Sequence, residues 1–247
     1  ERIGEEIRLI LCEGAAKRGF ELLHASGLLA AVMPELLEME GVAQTPLHHP
    51  EGDVWTHTLL VIDQLRGPTE TLALGALLHD VAKPACAGRK MTPDGERFTF
   101  YGHPERGAAM AIAICQRLKR SRAVWERVAY LVRNHLRLVS APLMRKSTLT
   151  RFLRENGIDE LLELARLDAT AASGDLQCYE FCRAQLATLS AQQMNPPALV
   201  TGRDLIAIGF APGPRFSEML HAVEEQQLEG VLADRDAALA WVRAHFP

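Results

Sequence analysis

The feature that most constrains this chain is an apolar run, Leu72 to Ala82, broken near its end by the adjacent polar pair His79 and Asp80. A run with no polar face reads as a helix buried on all sides, and Pro84 then stops it. An imidazole and a carboxylate buried together are costly unless each finds a partner. Neighbouring helical residues diverge by about 100°, so the pair can clasp one ion only near the helix axis. The sequence therefore predicts a built site at this helix end.

Other segments bring matching side chains. His57 falls in an apolar helix that Asp53 is placed to cap and that the Gly67-Pro68 pair ends. Residues Cys86 to Phe100, with Gly88, Pro93, Asp94 and Gly95, read as a loop or short hairpin, after which His103-Pro104 opens a helix. Asn134-His135 lies in a helix predicted from Val124 to Leu138. Asp168 lies in one predicted from Leu161 to Ala172, capped by Asp159 and ended at Gly174. Any one buried histidine is usually a hydrogen-bonded core residue. Four of them with two carboxylates would each need a separate partner, and a shared divalent ion is the simpler solution. Mixed imidazole and carboxylate ligands suit Mn, Mg, Ni, Fe, Co or Zn rather than soft Cu(I).

The remaining pattern is helical. Few segments alternate with period two, and aromatic residues are sparse among Leu and Ala, so an all-α fold is expected. Ile3, Ile7 and Ile10 mark a first helix, Phe20, Leu22 and Leu23 a second, and Leu28, Leu29 and Val32 a third reaching Pro34. Past Asn195-Pro196-Pro197, short helices after Thr201-Gly202, Gly213-Pro214 and Asp234 suggest an appendage. The expected division is a neck-like helical segment over 1–47, a metal-binding domain over 48–195 and a helical tail over 196–247. Five cysteines without a C-x-x-C pair fit a reducing compartment. Neither a membrane span nor a signal peptide is evident, and a cytoplasmic location is expected. The net charge of -4 supplies no global basic field, so any grip on nucleic acid must be local. The chain opens on Glu1 directly in a helical pattern, as an ordered part of a longer protein would.

These residues resemble a known superfamily. H-T at His57, L-L-H-D-V-A-K-P from Leu77, G-H-P-E-R-G from Gly102, N-H at Asn134 and L-D-A at Leu167 look like HD phosphohydrolases. His57, His79, Asp80 and Asp168 match that family's four signature ligands. The resemblance also implies a second ion, with Asp80 bridging and His103 and His135 as ligands; the alternative for those two is to support the ligands from behind or to face substrate. A wider resemblance, carried by E-R-I-G-E-E-I at Glu1, H-H-P-E-G-D-V-W-T-H-T at His48, S-G-D-L at Ser173 and T-G-R-D-L at Thr201, is to bacterial CCA-adding and poly(A) polymerases that carry an HD domain.

Two functions are thereby implied. The first is a metal-dependent phosphohydrolase, acting as phosphodiesterase or phosphatase on nucleotides or RNA ends, including 2′,3′-cyclic or 2′-phosphorylated ones. There a metal-activated water would attack phosphorus beside Asp80, with Lys83, Arg106, Arg137 and Arg145 holding the phosphate and Lys146 in reserve. Asp53 and Glu105 are candidates for orienting histidines, His48 and His49 for the mouth of the site, and Asp175 for a turn. The second is the tRNA-binding rear part of a CCA-adding or poly(A) polymerase whose transferase head lies elsewhere. That head uses G-S followed by paired carboxylates on a strand. The sole D-x-D here, Asp234-Arg235-Asp236, stands where a terminal helix begins and is expected to serve the helix dipole.

Overall fold

The computed structural model describes residues 1–46, 49–92 and 95–246. The predicted contacts of His48 and of Pro93-Asp94 fall outside these residues. The protein is built from α-helices, as the composition predicts, with a single two-stranded antiparallel hairpin, Gly88–Thr92 against Gly95–Thr99, among the described residues. By backbone proximity the chain divides into two compact units: residues 1–139 with 159–180, and residues 140–158 with 181–247.

The first unit holds every histidine and carboxylate of the predicted ion site. Its first helix, Arg2–Glu13, buries Gly4, Ile7 and Leu11, whereas Ile3 is 57% exposed. The apolar stripe is therefore rotated from the one that the three isoleucines suggest. Phe20, Leu29, Met33, Leu36 and Met39 follow into the core. The Glu70–Leu78 helix starts at Thr69, whose hydroxyl accepts from the Leu72 amide at 3.1 Å, and buries all seven residues from Leu72 to Leu78. Its neighbours are the helices Val54–Asp63, Arg122–Asn134 and Arg2–Glu13.

The predicted helix through Ala82 ends four residues early. It closes at Leu78, the chain turns through His79 to Ala82, and Pro84 belongs to a new short helix, Lys83–Cys86. Proline lacks an N–H that a first turn does not need, so it opens this helix instead of closing the previous one. The 122–134 helix also ends earlier than predicted, at Asn134, and continues as a 3-10 helix over His135–Leu143. The Ile158–Ala171 helix begins one residue before Asp159, which occupies its first turn rather than its cap. Gly174, at φ 76°, ends that segment as predicted, its amide reaching the Ala169 carbonyl at 2.8 Å.

In the second unit, Val200, Leu205, Met219, Val223, Leu232, Ala238 and Val242 form a core shared by the helices Gly202–Ala207, Arg215–Glu229 and Arg235–His245. Thr201 and Asp204 form a reciprocal capping box, and Arg235 binds the same Asp204 carboxylate. Asp234 caps the last helix by accepting from the Ala237 amide at 2.8 Å, so one carboxylate of the sole D-x-D is committed to a helix end.

Gly4 tests the packing. Alanine there gains roughly 1 kcal/mol of helix propensity. Its Cβ, however, would stand 2.2 Å from the Leu118 carbonyl oxygen, a backbone atom that cannot swing aside. Overpacking of this kind costs about 1–3 kcal/mol. Gly4→Ala is therefore expected to lower the urea midpoint of unfolding despite its better helix former; a raised midpoint would show that the two segments are not in contact.

Candidate metal centre

The ligands converge because most stand at helix ends or are held by cross-ties. Asp53 fixes the start of the Val54–Asp63 helix, accepting from the Thr56 amide at 2.8 Å and the Gly41 amide at 2.5 Å. This places His57 one turn in, fully buried. Just past the end of that helix Gln64 donates to the Leu167 carbonyl at 2.9 Å, which holds Asp168 beside His57. Glu160, in the helix that carries Asp168, accepts from Thr71 at 2.6 Å and from Arg127 at 2.7 Å, tying it to both neighbouring helices. Gly107 allows the His103–Arg117 helix to close on its neighbours, since a Cβ there would stand 3.1 Å from Val132.

The resulting cluster contains His57, His79, Asp80, His103, His135 and Asp168, all predicted from sequence. His57 Nε2 lies 3.0 Å from Asp168 Oδ1 and 4.0 Å from Asp80 Oδ2. His79 Nε2 is 3.1 Å from Asp80 Oδ2 and 4.0 Å from Asp168 Oδ1. On the other side of the Asp80 carboxylate, Oδ1 is 3.4 Å from His103 Nε2 and 3.8 Å from His135 Nε2. Two triads result, His57–His79–Asp168 and Asp80–His103–His135, each with ligand atoms within 4.8 Å of one another.

The far nitrogens reveal what the near ones need. Nδ1 of His79 donates to the Ala76 carbonyl at 2.8 Å, that of His103 to Phe100 at 2.8 Å and that of His135 to Val132 at 2.7 Å. Carbonyl oxygens only accept, so each Nδ1 carries a hydrogen and each ring turns its Nε2 inward, where an Nε2 without a hydrogen presents a lone pair. His103 Nε2 and His135 Nε2 then face each other at 3.3 Å, and two lone pairs at that distance require a proton or cation between them. His57 Nε2, His79 Nε2 and Asp80 Oδ1 are buried and make no well-aimed hydrogen bond among the described residues, although carboxylates and imidazoles stand close. Orphaned, convergent lone pairs of mixed nitrogen and oxygen fit a divalent ion.

Without an ion, protons and the Lys83 charge balance the carboxylates of the cluster. Burial disfavours charge on His57, but the Asp168 and Glu51 carboxylates outweigh it and raise its pKa to about 9. Burial and the neighbouring His79 push His135 down to about 4 against the pull of Asp80. Burial would raise the Asp80 carboxyl, yet His79 and Lys83 hold it well below the ordinary range, and His57 does the same for Asp168.

Lys83 lies where helical spacing from Asp80 suggests, with Nζ 2.7 Å from Asp80 Oδ2 and donating to Gln44 at 2.6 Å. It is 7% exposed, so its charge is spent on these partners. Arg106 is exposed and donates to the Ala85 carbonyl at 3.0 Å, and Arg137 donates to Asn134 at 3.2 Å. Arg145 belongs to the second unit, paired with Glu225 at 3.0 Å. Asp53 is a cap, and Glu105 is exposed on the first turn of its helix. Sequence reasoning passed over Glu51, whose Oε1 accepts from Nδ1 of both His57, at 2.6 Å, and His49, at 2.9 Å. The available signal was a carboxylate between Pro50 and Gly52, in the segment that leads to the His57 helix. Beside the cluster lies a cavity of about 290 Å³, lined in part by His49, His135, Val139, Asp168 and Tyr179.

Comparison with known proteins adds the biological context. Residues 107–242 match a family model described as tRNA nucleotidyltransferase domain 2, and residues 1–39 match one described as "Probable RNA and SrmB- binding site of polymerase A". The chain is 35% identical over 255 residues to the A-adding tRNA nucleotidyltransferase of Deinococcus radiodurans, covering 98% of this chain and 58% of that protein. It is 34% identical over 250 residues to the CC-adding tRNA nucleotidyltransferase of Thermus thermophilus, covering 98% and 56%. It is 31% identical over 241 residues to the multifunctional CCA protein of Nitrosococcus oceani, covering 94% and 56%. The chain thus spans a little over half the length of the curated relatives it matches. These relatives are transferases, which overturns the expectation of a metal-dependent phosphoric ester hydrolase. The ligand set misled because imidazoles and carboxylates specify a place for an ion, and an ion can tie helices together as readily as it can activate water. With its model matched over more than half of its residues, the chain belongs to the tRNA nucleotidyltransferase domain 2 family.

Proposed function

We propose that this chain is the tRNA-binding portion of a CCA-adding or poly(A) polymerase-type enzyme, with nucleotide transfer supplied by polypeptide outside it. The observation that carries the reading is the match along 98% of the chain to A-adding and CC-adding nucleotidyltransferases. The capping role of Asp234 supports it, since transfer chemistry needs paired carboxylates free to hold metal and nucleotide. The RNA-binding model over residues 1–39 points the same way. Arg106, Arg137, Arg145 and Lys146 are the proposed contacts to tRNA phosphates, which position the RNA without reading its sequence.

The buried centre is proposed to hold one or two divalent ions. His57, His79, Asp80 and Asp168 would hold the first, and Asp80, His103 and His135 the second. Bound there, an ion supplies positive charge that satisfies the inward lone pairs and joins the segments bearing them. Lys83 keeps Asp80 ionised and so fit to serve both triads.

Two measurements test these readings. Binding of a tRNA transcript should weaken steeply with salt, by about 10²-fold between 50 and 200 mM for these four phosphate contacts; a flat salt response would defeat the tRNA reading. Metal analysis after purification should find first-row or alkaline-earth ions that Asp80→Asn loses. An ion at about 100 times its dissociation constant should add about 2.7 kcal/mol of stability to the native protein and little to the variant. Equal stabilisation of both proteins would remove the ion from this site.

A further inference from the structure

We propose that Glu51 is the positioning residue of the metal centre: its carboxylate, shared by His57 and His49, aims His57 Nε2 at the ion and holds His49 across the adjoining cavity. The inference rests on the ion reading above and adds a residue that does not itself touch the ion.

His57 stands apart from the other three histidines of the cluster. His79, His103 and His135 each anchor Nδ1 on a backbone carbonyl three residues earlier, a partner supplied by the local chain. His57 anchors Nδ1 on a side chain six residues earlier, outside its helix, at 2.6 Å. A charge-assisted bond of that length is stronger than the neutral ones, and a carboxylate behind an imidazole makes the opposite nitrogen a better electron donor. The ion-facing strength of His57 is therefore set by Glu51.

Glu51 is built for this task. Its side chain is 7% exposed, which is costly for a carboxylate without partners. The same Oε1 accepts from His49 Nδ1 at 2.9 Å, and the two rings meet edge to face with centroids 4.9 Å apart. Gly52, at φ 126°, gives the chain a conformation that side-chain-bearing residues rarely adopt, immediately before the Asp53 cap. The backbone on the C-terminal side of Glu51 is thus pinned to the start of the His57 helix. His49 is 20% exposed in its side chain and lines the cavity beside Asp168 and His135. One carboxylate consequently governs a buried ligand and a residue at the cavity wall.

The test uses the full chain and Glu51→Gln and Glu51→Ala variants, titrated with Mn²⁺ or Zn²⁺ and examined by proton NMR with and without metal. Glu51→Gln keeps the shape and removes the charge. It should weaken ion binding about 10–100-fold while leaving the helical circular dichroism intact, and Glu51→Ala should weaken it at least as much. In the metal-free wild type, the buried His57 Nδ1 proton should be strongly downfield and slow to exchange, and both variants should lose that resonance. Unchanged affinity in the glutamine variant, or a downfield proton that survives it, overturns the proposal. Loss of a whole equivalent of bound metal, with no downfield proton in the wild type, overturns it in favour of Glu51 as a ligand. Failure of the wild type to bind any ion defeats the ion reading; the metal-free resonance still decides whether Glu51 positions His57.

Discussion

Everything in the first unit is arranged around a set of lone pairs that point at one another. Three histidines spend their Nδ1 hydrogens on backbone carbonyls and a fourth on Glu51, so their Nε2 atoms and the Asp80 and Asp168 oxygens are left facing a common interior. Leaving such groups without a partner costs roughly 1–3 kcal/mol each, a large fraction of a typical domain's stability. The surrounding helices must therefore be held firmly enough to keep the groups together. Glu160, Gln64 and Asp53 supply that restraint as cross-ties between segments distant in sequence.

Much of this arrangement is legible in the sequence. His79 and Asp80 stood out because a charged pair at the end of a run of Leu and Ala has no cheap explanation, and the other four cluster members share that anomaly. The cap at Asp53, the hairpin after Cys86 and the tail helices after Thr201, Pro214 and Asp234 followed from local chemistry that acts within a few residues. The illegible parts depend on distant partners. Nothing local distinguishes Glu51 from Asp53 or Glu105 as the carboxylate behind a histidine, since the choice depends on a loop turning back over the next helix. Gly4 reads as a poor helix former until the Leu118 carbonyl is seen against it. Pro84 reads as a stop until the break at Leu78 makes it a start.

The reaction class was the largest misreading, and its cause is physical. The residue types that could hold an ion, and the apolar runs that bury them, are written in the sequence. What an ion does depends on open coordination positions and on what reaches them, which the ligands do not encode. Along nearly its whole length the chain is similar to A-adding and CC-adding tRNA nucleotidyltransferases, and the role proposed for it in tRNA binding rests on that likeness.

Two of the histidines also complete the helices they follow. His79 and His135 are the residues at which the 70–78 and 122–134 helices end, and their rings return a hydrogen to Ala76 and Val132, carbonyls of the last turn. The end of a helix leaves such carbonyls without partners of its own. Each ring is thus a fastener for its helix as well as a wall of the centre. Both residues are therefore tied to the ends of two core helices whatever the cluster holds. The row of histidines is thus part of the frame of the first unit as well as the lining of its centre.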